Sequence, residues 1–220
     1  MKILLALAVL AVSPATAEAD CACGAWLLTE SVVEGQPSIV IEMSCATKAP
    51  KLVIEDPSGK PAKVTLTATH GGQGSTQYVF QPERPLAPGK HTVVAGGQPP
   101  KHVLTVVAAP PNAAPATWSS APSVTSQTQT EFGCGPAKSV MVTAGSAASL
   151  AYVELVDDGS KRRSAGYVRV KNGELSIGHG MCGGAFELVK ARSYTAAITL
   201  LAPERGTSAS SKTVSFKYSP

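Results

Sequence analysis

The chain has 220 residues, enough for one large domain or two small ones. Charged residues make up 15% of the sequence and aromatic residues 5%, whereas glycine (20) and proline (17) are plentiful. This composition favours strands and turns over helices. The mild formal charge of +4, spread along the chain, argues against a nucleic-acid-binding surface.

Residues 1–19 have the pattern of a secretory signal peptide. Lys2 precedes an apolar run, 3–12, that is too short to span a bilayer. The small-residue stretches that end at Ala17 and Ala19 both fit an A-x-A cleavage site. We therefore predict a bacterial protein exported to the periplasm, the cell surface or the medium, with no membrane-spanning segment.

Five cysteines follow the signal segment, and export makes disulfides the default. Cys134 and Cys182 are the two in the second half of the chain. Because both have glycine neighbours, we predict that they form a loop staple. Cys45 is predicted to pair with Cys23, which adjoins the first predicted strand. The swapped pairing of Cys45 with Cys21 remains open.

Cys21 is the predicted spare thiol. Two uses are left open for it: a covalent link to a second copy or to an envelope partner, or capping by a small thiol. The acidic residues before it, Glu18 and Asp20, break the pattern of a lipoprotein signal. A metal site formed with Cys23 would need a third ligand, and no histidine lies nearby in the sequence.

The uncharged, proline-rich composition of segment 108–123 predicts a semi-rigid linker. It predicts a first domain over 20–107 and a second over 124–220, with few contacts between them. Each half shows about seven short segments with strand character, separated by turns such as "DPSGK" (56–60) and "KNGE" (171–174). We therefore predict an all-β chain of two tandem antiparallel β-sandwiches.

Two stretches resemble bacterial immunoglobulin-like and fibronectin-type-III-like domains. "LAPGKHTV" (86–93) looks like the run before the F strand of such domains, with His91 in place of the usual tyrosine. "LVKARSYTAAITL" (188–200) is similar to the same region and keeps a tyrosine, Tyr194. The resemblance implies a tyrosine corner, in which the Tyr194 hydroxyl bonds back to the backbone.

Two glycine-rich motifs contain residue types that are found in catalytic or metal-binding loops. "HGGQGS" (70–75) resembles the oxyanion loop of esterases, but the chain has no G-x-S-x-G nucleophile elbow. "IGHGMCGG" (177–184) contains the residue types of a blue-copper site in the wrong order. We predict that "HGGQGS" is a hairpin loop and that 177–184 holds no copper. The basic run 161–163 is predicted to be a solvated hairpin turn.

"LAPGKHTV" is also similar to a segment of a copper-carrier family with a related sandwich. That family uses a histidine at the mature N-terminus, and this chain has none there. The candidate metal ligands that remain are scattered through the sequence: His70, His91, His102 and His179. No cofactor is predicted.

The sequence thus predicts an exported, non-enzymatic binding or structural protein of the cell envelope, whose partner is a protein or an envelope polymer. A periplasmic copper carrier is the first alternative. An enzyme with a loop-borne site that the sequence does not reveal is the second.

Overall fold

The computed structural model describes residues 23–34, 38–96, 101–109, 112–133, 135–144 and 148–220. The predicted signal segment 1–19, Cys21 and Cys134 lie outside these ranges. Nearly all regular structure is β, as predicted; the one helical element among the described residues is the 3₁₀ turn Pro203–Arg205. None of the described segments forms a helix long and apolar enough to cross a membrane.

The first half of the chain folds into a two-sheet β-sandwich. Its described residues form nine strands: β1 (Ala25–Leu27), β2 (Ser31–Val33), β3 (Ile39–Ser44), β4 (Leu52–Glu55), β5 (Pro61–Ala62), β6 (Val64–Gly71), β7 (Ser75–Pro82), β8 (Gly89–Ala95) and β9 (His102–Val107). One sheet has the order β1-β3-β7-β6, and the other has the order β2-β9-β8-β4-β5. In the strand lettering of immunoglobulin domains, β1-β3-β7-β6 corresponds to A-B-E-D and β9-β8-β4 corresponds to G-F-C, with β2 and β5 at the two edges of the second sheet. This is the strand order of immunoglobulin-like sandwiches.

Alternating side chains from both sheets fill the core of this first sandwich. Ile39 and Ile41 of β3 face Val93 of β8 and Leu104 of β9, and all four are fully buried. The period of two in these strands places every second apolar residue in the core. Strand β7 differs, because Gln77, Tyr78, Val79 and Phe80 are all buried and it is therefore covered on both faces.

The second half of the chain folds as one large sheet that wraps around its own core. Its described strands are β10 (Val124–Phe132), β11 (Gly135–Thr143), β12 (Leu150–Asp157), β13 (Arg163–Lys171), β14 (Glu174–His179), β15 (Ser193–Ala202), β16 (Thr207–Ser208) and β17 (Lys212–Lys217). The order is β10-β11-β14-β13-β12-β15-β16, with β17 also paired to β15. Strand β13 pairs with β12 along most of its length and with β14 at Val170 and Lys171, so it joins the two layers.

Cys23 and Cys45 form a disulfide with a Cα–Cα distance of 5.4 Å, as predicted. The alternation in "SIVIEMSC" (38–45) predicts that Cys45 closes a strand with its side chain facing inward, but β3 ends one residue earlier, at Ser44. Cys45 is exposed and has a φ of 58°, a left-handed conformation that ends the strand. Cys182 is also held in a disulfide.

The described residues 112–123 of the predicted linker pack against the second half rather than spanning open space. Ala116 is buried in the core of that half, and its N–H donates to the Thr207 hydroxyl at 3.2 Å. The Trp118 indole donates to the carbonyl of Ser210 at 2.9 Å. These contacts hold the described residues 112–123 against the second half.

The expectation that the two halves make few contacts with each other is wrong. The outer face of the β1-β3-β7-β6 sheet packs against the outer face of the sheet around β12. Val40 and Val79 from the first half form a separate buried cluster with Leu150 from the second. Each sheet therefore buries apolar residues on both of its faces at this contact, which we call the junction.

Candidate functional site: a cleft at the junction of the two halves

The four predicted candidate ligands lie in three different environments. His91 and His102 stand on neighbouring strands, β8 and β9, and His91 is fully buried. His70 lies at the junction, and the half-buried His179 donates to the carbonyl of Gly180 at 2.9 Å. Among the described residues, no group of three histidine, cysteine, aspartate or glutamate side chains is placed to hold a metal ion.

His91 and Tyr194 occupy equivalent corners of the two halves. The Nε2 atom of His91 lies 2.8 Å from the carbonyl oxygen of Ala87, four residues upstream, and must carry the hydrogen because a carbonyl only accepts. The hydroxyl of Tyr194 accepts a hydrogen bond from the N–H of Val189, five residues upstream, at 2.8 Å. Each side chain thus ties the chain entering a central strand back to the preceding loop.

We expect Tyr194→Phe to lower the free energy of unfolding by about 1–2 kcal/mol, because the N–H of Val189 loses its partner while the ring still fills the core. Urea denaturation of the wild type and the variant measures this difference. Ser193→Ala, at the exposed neighbouring position, is the control and should change stability by less than about 0.5 kcal/mol. Equal stabilities of Tyr194→Phe and the wild type would show that the contact contributes nothing.

The two glycine-rich motifs meet at the junction, backbone against backbone. The N–H of Gly184 donates to the carbonyl of Gln73 at 2.9 Å, and both Gln73 and Gly74 form bridges with Gly184. A Cβ built on Gly72 would lie 2.0 Å from the carbonyl oxygen of Gly184. One built on Gly183 would lie 2.7 Å from the carbonyl oxygen of Gln73. We call this contact the glycine clasp; it explains why both loops contain several glycines.

A buried amide connects the halves beside the glycine clasp. The side chain of Gln77 accepts from the N–H of Tyr167 at 2.7 Å and donates to the carbonyl of the same residue at 2.8 Å. It also donates to the carboxylate of Glu42 at 2.8 Å. Gln77 is only 1% exposed, so these partners replace water completely. Gly166 gives the amide room, since a Cβ there would lie 2.9 Å from the Gln77 Oε1 atom.

Aromatic rings and an arginine extend the junction on either side of Gln77. The His70 ring lies 5.7 Å from both Tyr152 and Tyr167 in edge-on geometry. Burial lowers the pKa of His70 below 6.5, so the ring is uncharged at neutral pH. Arg169 donates to the carbonyl of Leu27 and pairs with Glu30 at 2.8 Å. The junction thus combines apolar, hydrogen-bonding and ionic contacts.

A cleft of about 390 Å³ opens beside the glycine clasp and takes walls from both halves. The first half supplies the end of β6 and the loop after it, 69–73. The second half supplies the β12–β13 hairpin and the segment 185–194. Three arginines, two acidic residues and one histidine carry its ionisable groups: Arg162, Arg163, Arg192, Asp157, Glu187 and His70. Three guanidinium groups against two carboxylates leave one excess positive charge.

Asp157 is the fixed anion of this cleft. Its carboxylate accepts from the N–H groups of Gly159 and Ser160 and from the Arg192 guanidinium, at 3.0, 3.1 and 2.7 Å. The backbone bond from Ser160, with the Arg192 contact next, holds the pKa of Asp157 well below the usual 3.8. The carboxylate therefore stays ionised at every pH at which the protein is expected to work.

Because the pKa of Asp157 is lower in the folded chain than in the unfolded one, its contribution to stability is complete above about pH 5. It is lost as the pH falls through 3.8 towards the folded value. We expect the wild type to lose more stability than Asp157→Asn between pH 5 and pH 2. Thermal unfolding at a series of pH values measures this, with Asp158→Asn as the neighbouring control. Parallel curves for the wild type and Asp157→Asn would contradict the assignment.

Only part of this site is recognisable from the sequence. Both glycine motifs stand out, but as separate loops, and the run 161–163 has the pattern of a solvated turn. Gln77, Tyr152 and Tyr167 carried no recognisable motif. One sequence signal did indicate a buried strand. In "QYVF" (77–80) three large hydrophobic residues follow Gln77 without the alternating polar residues of a strand that has one face in solvent, which is typical of a strand covered on both faces.

No family model matches the chain, and no curated protein sequence matches it. Among solved structures, a pullulanase from Anoxybacillus sp. LM18-11 in complex with maltotriose is 15% identical over 86% of this chain and 25% of its own, with a TM-score of 0.30. The chicken interferon gamma receptor alpha chain is 11% identical over 86% of this chain and 98% of its own, with a TM-score of 0.29. A chimeric titin Z1Z2 tandem is 12% identical over 88% and 97%, with a TM-score of 0.25. This chain spans about a quarter of the length of the pullulanase.

Proposed function

We propose that this protein is an exported, non-enzymatic binding or structural protein of the bacterial cell envelope. The immunoglobulin-like sandwich of the first half and the wrapped sheet of the second half, which meet at the junction, form its framework. The observation that carries the proposal is the junction itself, because it holds the loops of both halves in a fixed relation. A fixed arrangement of loops from the two halves lowers the entropy that a binding surface loses when it meets its partner.

The Cys23–Cys45 disulfide supports export. It closes a loop across the first strands of the chain, just after the predicted signal segment. Disulfides of this kind persist in oxidising compartments and are rare in the cytosol. In the chain-entropy description, a crosslink over a separation of 22 residues stabilises the fold by about 3 kcal/mol.

Fractionation of the native bacterium, followed by N-terminal sequencing of the purified protein, tests export. We expect the protein outside the cytoplasm, with cleavage after Ala17 or Ala19. Crosslinking of the mature protein in intact envelopes then tests binding, and we expect it to capture an envelope protein or polymer. A cytoplasmic protein that retains Met1, or an exported one that crosslinks to nothing, would overturn the proposal.

A further inference from the structure

The arginines around the junction cleft are only partly neutralised. Arg192 donates to the Asp157 carboxylate through one nitrogen, at 2.7 Å, which leaves the other N–H groups of Arg192 available. Glu187 lies 3.7 Å from Arg162, a long contact in which the arginine side chain is 77% exposed. None of the ion pairs between described residues involves Arg163. The cleft therefore presents guanidinium donors that carboxylates of the described residues do not occupy.

The remaining lining is polar and comes from both halves. Thr69 and Gln73 contribute from the first half and Ser164 from the second. Their hydroxyl and amide groups can both donate and accept hydrogen bonds. Leu155 and Ala185 add apolar groups to the lining. A volume of about 390 Å³ falls within the range of small-molecule sites.

We infer that the junction cleft binds a sugar residue that carries a carboxylate or phosphate group. Guanidinium groups match the geometry of both anions and bind them through paired hydrogen bonds. The sugar hydroxyls meet Thr69, Gln73 and Ser164. This inference rests on the proposed binding function and names the chemistry of its partner: an acidic glycan.

Binding should also depend on the junction, because the first half supplies one wall of the cleft. A ligand that contacts both walls binds only when the two halves are in contact at the junction, and it therefore stabilises that contact. Loosening the glycine clasp should accordingly weaken binding, although Gly72 itself contributes no side chain.

Isothermal titration of the purified mature protein tests the inference with three probes: trigalacturonate, a neutral galactose trimer and inorganic phosphate. We expect trigalacturonate to bind more tightly than either of the others, since it alone offers both the anion and the hydroxyls. Repeating the titration with galactose 6-phosphate compares phosphate with carboxylate as the anion. The inference would be overturned if trigalacturonate bound no more tightly than the neutral trimer or inorganic phosphate. It would also be overturned if neither trigalacturonate nor galactose 6-phosphate bound.

Arg163→Gln is the decisive variant, because Arg163 is exposed and takes part in none of the ion pairs between described residues, so we expect the fold to tolerate the change. Loss of a charged hydrogen bond should weaken trigalacturonate binding about tenfold. Lys161→Gln is the matched control: it removes the same charge from the same turn but lies outside the cleft lining. An equal effect of the two variants would show attraction by net charge alone and would contradict a defined site.

These experiments separate the inference from the proposed function. Export and envelope crosslinking without sugar-acid binding would remove the inference and leave the proposed function standing. A cytoplasmic location would remove the proposed function, whatever the titrations show.

Discussion

Gly72→Ala is expected to disrupt the glycine clasp and to lower the free energy of unfolding by about 2 kcal/mol or more. The new Cβ would lie 2.0 Å from the carbonyl oxygen of Gly184 and 2.8 Å from the Cα of Ala185. Both neighbours are backbone atoms, so no flexible side chain can move aside. For a chain of this size the change corresponds to a fall in Tm of roughly 4–8 °C. Differential scanning calorimetry measures the shift.

Gly71→Ala is the matched control for this prediction. It adds the same methyl group one residue earlier, where a Cβ would meet no described atom within 4 Å. It should therefore leave Tm nearly unchanged. Small-angle scattering adds a second readout, because separation of the halves in Gly72→Ala would raise the radius of gyration. If the two alanine variants behave alike, the close approach of the two loops is not a feature of the protein in solution.

Gln77→Glu is expected to destabilise the chain by about 3 kcal/mol or more. The substitution keeps the size of the side chain but removes the donors to Glu42 and to the carbonyl of Tyr167. It also places a second carboxylate beside Glu42, which takes part in none of the ion pairs between described residues. Chemical denaturation at pH 7 measures the loss. The loss should shrink at acidic pH, where a protonated carboxyl group can donate.

Two comparisons make the Gln77 experiment specific. Gln129 also donates to a carboxylate, that of Glu131, but on the exposed strand β10. Gln129→Glu should therefore cost less than about 1 kcal/mol, because water screens the new charge. Adding Glu42→Gln to Gln77→Glu restores a donor between the two positions and should recover part of the lost stability. Failure of this second change to recover any stability would show that Glu42 and Gln77 are not coupled.

The predicted arrangement of strands followed from local rules. Alternating apolar residues in "SIVIEMSC" (38–45), together with turns such as "KNGE" (171–174), are enough to place strands, because side chains on a strand alternate between two faces. The resemblance of 188–200 to a tyrosine-corner region placed Tyr194 beside a loop that its hydroxyl reaches. The Cys23–Cys45 pairing followed from the position of Cys23 next to the first strand.

The junction could not be derived in the same way. Proline-rich composition in 108–123 predicts an extended segment, but it does not say whether that segment separates two halves or lets them fold back on each other. The partners of Gln77 lie 35 and 90 residues away, and no spacing rule connects such positions. The histidines could be selected as candidate ligands by residue type alone. Their positions relative to one another could not be predicted, because a residue type does not determine which residues lie beside it in the fold.

What the sequence determined by itself is the part that depends on near neighbours: strands, turns, one disulfide and the pattern of an exported protein. What only the tertiary structure decided is which outer sheet faces meet. That choice brings the two glycine loops into contact and places Arg162 and Arg163, from the predicted solvated turn, in the wall of a cleft. The physical reason is that burial of a second sheet face and close approach of two backbones are set by shape complementarity between distant segments. Local sequence patterns carry no measure of that complementarity.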